Sequence, residues 1–330
     1  MENFTLLLKK YADFIVRVGV NPQPGQTLVI NCCLEAAPLA RLCVRSAYEA
    51  GARDVLVNWS DNDVSRSRME LGSEEALSDF KSWQLRRYLD YAESEGGVCV
   101  LHILADDPEV YAGLDGAKIS RVNAGQRKFM APWREYTMND RVQWSIAAMP
   151  SAPWAKKMFP ELDEAAAIEK LWQLIFDVCR VTGGDPVNEW KAHMERLSTL
   201  RDKMNALDLE SVHFESSNGT DLTVGLADRA VWESAASRSE KGVVFLPNIP
   251  TEEVFTAPHK DRVEGVVYGT KPYVFNGQLI KNFRVTFEKG RVVDYHAEQG
   301  QVLLGRLLDG DEGSRSIGEV ALVPASSPIN

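Results

Sequence analysis

Apolar positions along the first two hundred residues alternate between two textures. Short, nearly unbroken apolar runs at 27–31, 54–58, 97–103 and 142–147 read as strands covered on both faces. Between them, helical spacing over 37–50, 73–92 and 117–136 predicts helices. Pro24-Gly25 opens the first unit, Gly51 closes its helix, and Glu74 and Glu75 sit in the first turn of the second helix. Residues 1–20 read as an amphipathic helix, and 164–181 and 185–206 as two further helices in succession. Strands alternating with helices of this length predict a mostly parallel sheet with helices on both faces. After about residue 207 the period shortens to that of strands. Runs at 211–215, 221–226, 265–268, 273–275, 279–288 and 291–295 are separated by Asn218-Gly219, Asn276-Gly277 and Lys289-Gly290 turns, and one late helix is predicted over 301–308. The chain is therefore read as an N-terminal α/β domain, 1–206, followed by an α+β, mainly antiparallel C-terminal domain, 207–330.

Composition narrows the classes. A length of 330 residues suits two cores, and 45% hydrophobic with 25% charged residues is the ordinary globular mixture. The formal charge of -10 argues against a nucleic-acid partner, which needs a clustered basic face. Lys9, Lys10, Asp13 and Arg17 interrupt the first helix, so it is no signal peptide, and no run approaches a membrane span. A cytoplasmic protein without membrane attachment is expected. The five cysteines, Cys32, Cys33, Cys43, Cys99 and Cys179, all lie in apolar segments and read as reduced core residues. Trp144, Trp154, Trp172 and Trp190 lack an accompanying basic stripe and read as packing groups, not a base-stacking platform.

Candidate chemistry concentrates in Pro247-Asn248-Ile249-Pro250-Thr251-Glu252-Glu253-Val254-Phe255-Thr256-Ala257-Pro258-His259, which fixes two adjacent carboxylates between prolines. A second segment, Ser316-Ile317-Gly318-Glu319-Val320-Ala321-Leu322-Val323, places Glu319 in an apolar run, where a buried carboxylate needs a cation or a hydrogen-bond partner. Carboxylates and imidazoles hold zinc, cobalt or manganese while leaving room for water. The plainer alternatives stay open: Glu252-Glu253 flanking a turn, and Glu319 as an edge-strand charge. His102, His193, His213, His259 and His296 contain no pair at helical ligand spacing. His193 and His213 read as surface or satisfied core groups; His259, six residues beyond Glu253, is the one histidine worth placing near a site. The chain has no Walker loop and no Gly-x-Ser-x-Gly elbow. Its first strand is followed by Cys32-Cys33-Leu34-Glu35-Ala36-Ala37-Pro38, which lacks the glycines a pyrophosphate requires.

Several ordered blocks resemble the M29 metallo-aminopeptidases. They are residues 218–226, the run from Pro247 to His259, Arg262-Val263-Glu264-Gly265, and Asp311-Glu312-Gly313-Ser314-Arg315 leading into Gly318-Glu319-Val320-Ala321-Leu322-Val323-Pro324. The likeness extends from Arg17-Val18-Gly19 to the last residue. It implies a two-metal centre (zinc, cobalt or manganese) in the C-terminal domain, peptide substrates, release of N-terminal amino acids, and a homodimer. By motif it selects Glu253 over Glu252 as a ligand, with Glu319 as the second. It also implies that the remaining ligands, two histidines and an aspartate, lie beyond Asn330. On that reading this form is truncated, impaired as an enzyme, and left with an exposed sheet edge. The alternative is a non-catalytic peptide-binding, protein-binding or dimerisation module derived from such an enzyme.

Overall fold

The computed structural model of the chain describes residues 3–329; Met1 and Glu2 of the expected first helix, and Asn330, lie outside the described residues. Four parallel strands, β1 (Thr27–Cys33), β2 (Asp54–Ser60), β3 (Val98–Leu104) and β4 (Trp144–Ala148), pair in the order β2-β1-β3-β4. Alternation along β1 sends Leu28 and Ile30 to one face and Val29 to the other. The first face packs against α1 (Phe4–Phe14), α2 (Ala37–Glu49), α9 (Glu164–Val178) and α10 (Pro186–Ala206) through Tyr11, Leu39, Phe176 and Trp190. The second carries Val29, Val98 and Val100 against Leu89 of α5 (Ser82–Ala92) and Trp133 of α7 (Ala131–Met138). All five cysteines are free and buried, and desolvation raises the thiols of Cys32 and Cys33 to about 11 and about 12.

Two expected helices are broken. The stretch 73–92 forms α4 (Glu74–Ser78) and α5, with Lys81 extended between them. There Phe80 turns to stack on Phe129 at 5.3 Å, and the Gln84 side chain accepts from the Lys81 amide. The stretch 117–136 forms α6 (Gly116–Phe129) and α7, which restarts with Pro132 in its first turn, where a proline lacks only an amide hydrogen the helix would not use. Two helices were not anticipated: α3 (Asn62–Leu71), capped by Asp61, and α8 (Ala152–Met158), capped by Ser151. The first helix widens into a π-helical turn over Ile15–Val20.

The later half is antiparallel. Strands β5 (Ser211–Glu215), β6 (Asp221–Leu226), β11 (Pro258–Tyr268), β12 (Tyr273–Phe275), β13 (Gln278–Glu288) and β14 (Arg291–Gln299) form one sheet, covered by α11 (Gln301–Leu308). Two-residue strands β7 (Glu233–Ser234), β8 (Ser237–Arg238) and β9 (Val244–Phe245) precede the candidate segment. There β10 (Val254–Thr256) pairs with β7 on one side and with the edge strand β15 (Val320–Leu322) on the other. The two halves interlock instead of meeting at a point. Residues 244–249 run along the β4 edge: the Ile146 amide donates to Pro247 O (2.8 Å), the Ile249 amide to Ile146 O (2.9 Å), and the Leu246 amide to Gly19 O (2.8 Å). Leu246 and Ile249 thereby join the core of the parallel sheet.

Candidate metal site

The peptide between Ile249 and Pro250 is cis, and the chain passes from the β4 edge directly into Thr251, Glu252 and Glu253. The two glutamates part company here. Glu252 is 4% exposed, whereas Glu253 is half-buried. Arg180 Nη1 donates to Glu252 Oε1 at 2.6 Å, and Ser327 Oγ donates to Oε2 at 2.9 Å. His193 from α10 is buried beside this pair, its Nε2 2.9 Å from Thr251 O and 3.3 Å from Glu252 Oε1, while Arg180 Nη2 lies 3.2 Å from its Nδ1. These distances fit one tautomer: Nε2–H donates to Thr251 O, and Nδ1 accepts from Arg180. Opposing influences act on the ring, burial and the Arg180 charge against the hydrogen bond to Thr251 O and the carboxylate of Glu252. Burial is the largest, and the donor aimed at Nδ1 demands a neutral ring, so the imidazole is held below the ordinary histidine range. Arg180 also stacks 5.1 Å over the Trp190 ring. Glu252 is thus a satisfied structural carboxylate tying the candidate segment to α9 and α10.

Glu253 faces a different environment. In the β10–β15 register Val254 lies opposite Leu322 and Thr256 opposite Val320, with Val254 and Val320 buried in the core of the later half. Alternation then puts Glu253, just before β10, and Glu319, just before β15, on the other face of this ladder, with Phe255 and Ala321. Burial, and next the Glu319 charge, raise the Glu253 carboxyl above its usual range. Glu319 itself is exposed, not buried as its apolar neighbours suggested, because β15 is an edge strand that covers only Val320 well. Among the described residues no Lys or Arg pairs with either carboxylate. The register sets the two carboxylates on one face at opposite ends of this three-pair ladder, and each is an oxygen donor of the kind a hard divalent ion takes. The fit is one of type and not of number: a zinc-like ion takes about four donors, and no group of three or more His, Cys, Asp or Glu side chains gathers among the described residues.

The other expected neighbour, His259, is the second residue of β11, where its Nδ1 accepts from the Asp261 amide two residues on (3.1 Å). His213 pairs with Asp221 on the surface (2.9 Å). Sequence reasoning missed Arg180. It ran the preceding helix to residue 181, whereas α9 ends at Val178 and Arg180 takes a left-handed conformation (φ 56°) that swings its side chain toward Glu252. The available signal was the Thr182-Gly183-Gly184 breaker just behind it.

The family described as thermophilic metalloprotease (M29) matches residues 4–330. The chain is 43% identical over 330 residues to Aminopeptidase 2 of Geobacillus stearothermophilus, spanning all of this chain and 79% of that protein. It is 40% identical to Aminopeptidase AmpS of Bacillus subtilis, spanning all of this chain and 80% of that one. The solved structure of AmpT from Thermus thermophilus superposes with a TM-score of 0.89 at 36% identity, covering 99% of this chain and 80% of that one. The protein belongs to the M29 family of metalloproteases.

Proposed function

We propose that the protein is a metal-dependent aminopeptidase that releases N-terminal amino acids from peptides, and that Glu253 and Glu319 are its metal ligands within this chain. The observation that carries the activity is family membership along the whole chain, with relatives named aminopeptidases at 37–43% identity. What supports the ligand assignment is the uncompensated carboxylate pair on one face of the β10–β15 ladder. Zinc, cobalt or manganese, two per site, suits these oxygen donors, and such an ion supplies Lewis-acid polarisation of the scissile carbonyl. The chain's own part is positional. Glu252, locked by Arg180 and Ser327, fixes the backbone from which Glu253 projects, and the Val254 and Val320 anchors hold the ladder beneath both carboxylates.

The same reading takes the chain as two domains, 1–206 and 207–330, and as a cytoplasmic homodimer. Five reduced, buried thiols support an internal compartment, and exposed Tyr268, Tyr273 and Val293 on the antiparallel sheet support self-association. Sedimentation analysis checks the dimer: a protein that stays monomeric at all concentrations overturns that part.

The activity is tested by hydrolysis of amino-acid anilides with zinc, cobalt or manganese added after chelation. Metal-dependent turnover is expected, with a loss of about a hundredfold or more in Glu253→Gln and in Glu319→Gln. Turnover that survives chelation, or that both variants retain in full, overturns the assignment.

A further inference from the structure

A cavity of about 350 Å³ opens in the N-terminal half between α3, α5 and α6, away from the residues of the carboxylate pair. Its walls leave the sheet at one end. Helix α3, which contributes Arg68, follows the carboxyl end of β2, and Tyr111 sits on the segment that follows the carboxyl end of β3. The strand order β2-β1-β3-β4 reverses its winding direction at β1 and β3. Open α/β sheets form their ligand crevice at such a reversal, outside the carboxyl ends of the strands.

The wall is joined to the sheet through polar groups. Tyr88 lines the cavity and donates its hydroxyl to Asn31 Oδ1 on β1 (3.1 Å), and that oxygen also accepts from Asn58 Nδ2 on β2 (2.9 Å). His102 stands opposite Asn31 on β3, so a polar row crosses three strands at this end of the sheet.

The lining specifies a ligand class. Aromatic walls, with Trp83 59% exposed, offer a flat apolar surface of the kind an aromatic ring packs against. Two guanidiniums border it, along with one carboxylate, Asp79, which Lys81 pairs at 2.6 Å. Arg68 has no carboxylate partner among the described residues; Arg87 lies 5.0 Å over the Tyr88 ring and donates Nη2 to its hydroxyl (3.1 Å). The chain has 47 acidic against 37 basic side chains, so arginines left without carboxylates beside an aromatic pocket mark a place for an incoming anion. The turn after β1, Leu34–Ala36, contains no glycine to bring a backbone cradle onto a pyrophosphate. The cavity volume matches one amino-acid residue with a large side chain, not a dinucleotide.

We propose that this cavity binds a small aromatic carboxylate, the chemistry shared by a free aromatic amino acid and by the C-terminal residue of a peptide. The carboxylate meets the Arg68 and Arg87 forks and the ring lies against the aromatic wall. This site is separate from the metal site, and the experiment reads binding alone.

Isothermal titration of the full chain with N-acetyl-phenylalanine tests it; an acetylated amine excludes the ligand from aminopeptidase chemistry. Saturable binding is expected, weakened about tenfold or more in the Arg68→Gln/Arg87→Gln variant and in Trp83→Leu. Phenylalaninamide, which keeps the ring and lacks the carboxylate, is expected not to bind. Tighter binding of free phenylalanine identifies the amino acid as the source, and tighter binding of N-acetyl-Gly-Gly-Phe identifies the peptide terminus. The proposal is overturned if no saturable binding is seen, if the arginine variant binds as well as the parent, or if phenylalaninamide or phenyl phosphate outcompetes the carboxylates. All three positions are exposed, and unchanged circular dichroism confirms that the variants fold.

Discussion

Glu252 and Glu253 are chemically identical neighbours with opposite energetic roles. Removing one partner of a buried, hydrogen-bonded ion pair strands the other, so Glu252→Ala leaves the Arg180 guanidinium without its carboxylate and is expected to cost about 3–5 kcal/mol, measured by urea denaturation. Glu253→Gln removes a carboxylate whose charge is already disfavoured by burial and by Glu319. In metal-free protein it is expected to leave the same denaturation midpoint unchanged or raised. His193 supplies a pH signature. Its folded-state ring is held below the ordinary value of 6.5, so the stability of the neutral ring is present above that pH and drains away as pH falls through the lowered value. The stability advantage of the parent over His193→Asn should therefore narrow on acidification below about pH 6.5, followed by thermal melts. A gap that stays constant from pH 8 to pH 5 contradicts a neutral buried ring. Little of this was legible beforehand. Two adjacent carboxylates look alike in a sequence until the partner appears, and Arg180 is 72 residues away. Glu319 misled for a related reason: apolar neighbours signal burial only if the strand is covered on both faces, and β15 is an edge.

At the level of elements, periodicity carried the long pieces. The four parallel strands, the helices α2, α9 and α10, the hairpin strands β13 and β14, and α11 were readable because each buries a regular stripe. The two-residue strands β7 to β9 were not, since two residues carry no period: β7 is a strand only through its distant partner β10, and β8 and β9 only through each other. Gly265 shows how a motif residue encodes an element's shape. It lies in β11 with φ +114°, and a Cβ there would overlap the Asp221 carbonyl of β6. Gly265→Ala is expected to cost upwards of about 2 kcal/mol, well beyond an ordinary glycine-to-alanine change, because strain and overlap combine. Denaturation against Gly313→Ala, whose Cβ would meet only the Asp311 side chain at 3.5 Å, separates the two effects.

Across the whole molecule, the sheets belong to different halves but the cores do not divide cleanly at residue 206. Leu246 and Ile249 pack with the parallel sheet, Leu200 and Met204 of α10 reach the other core, and Asn123 Nδ2 donates to Asn276 Oδ1 (3.0 Å) across a second seam. Such interlocking predicts one cooperative thermal transition. Truncating the seam with Ile249→Ala, at a cost of about 2–5 kcal/mol, should split it into two, visible by calorimetry. A single unshifted peak in that variant contradicts the coupling. The change from mixed to antiparallel texture was plain in the chain, but the doubling-back of 244–249 was not, because a bridge to β4 leaves no local periodicity.

That doubling-back sets a timetable for synthesis. When the first 206 residues have left the ribosome, the β4 edge stands bare, with the Ile146 amide and carbonyl unmatched until residues 247–249 arrive. At the usual pace of translation the interval is roughly two to nine seconds. A nascent chain stalled near residue 206 should therefore be captured by chaperones or aggregate, while one extended past residue 250 should resist protease. The order in which the chain is made thus fixes when that edge is closed.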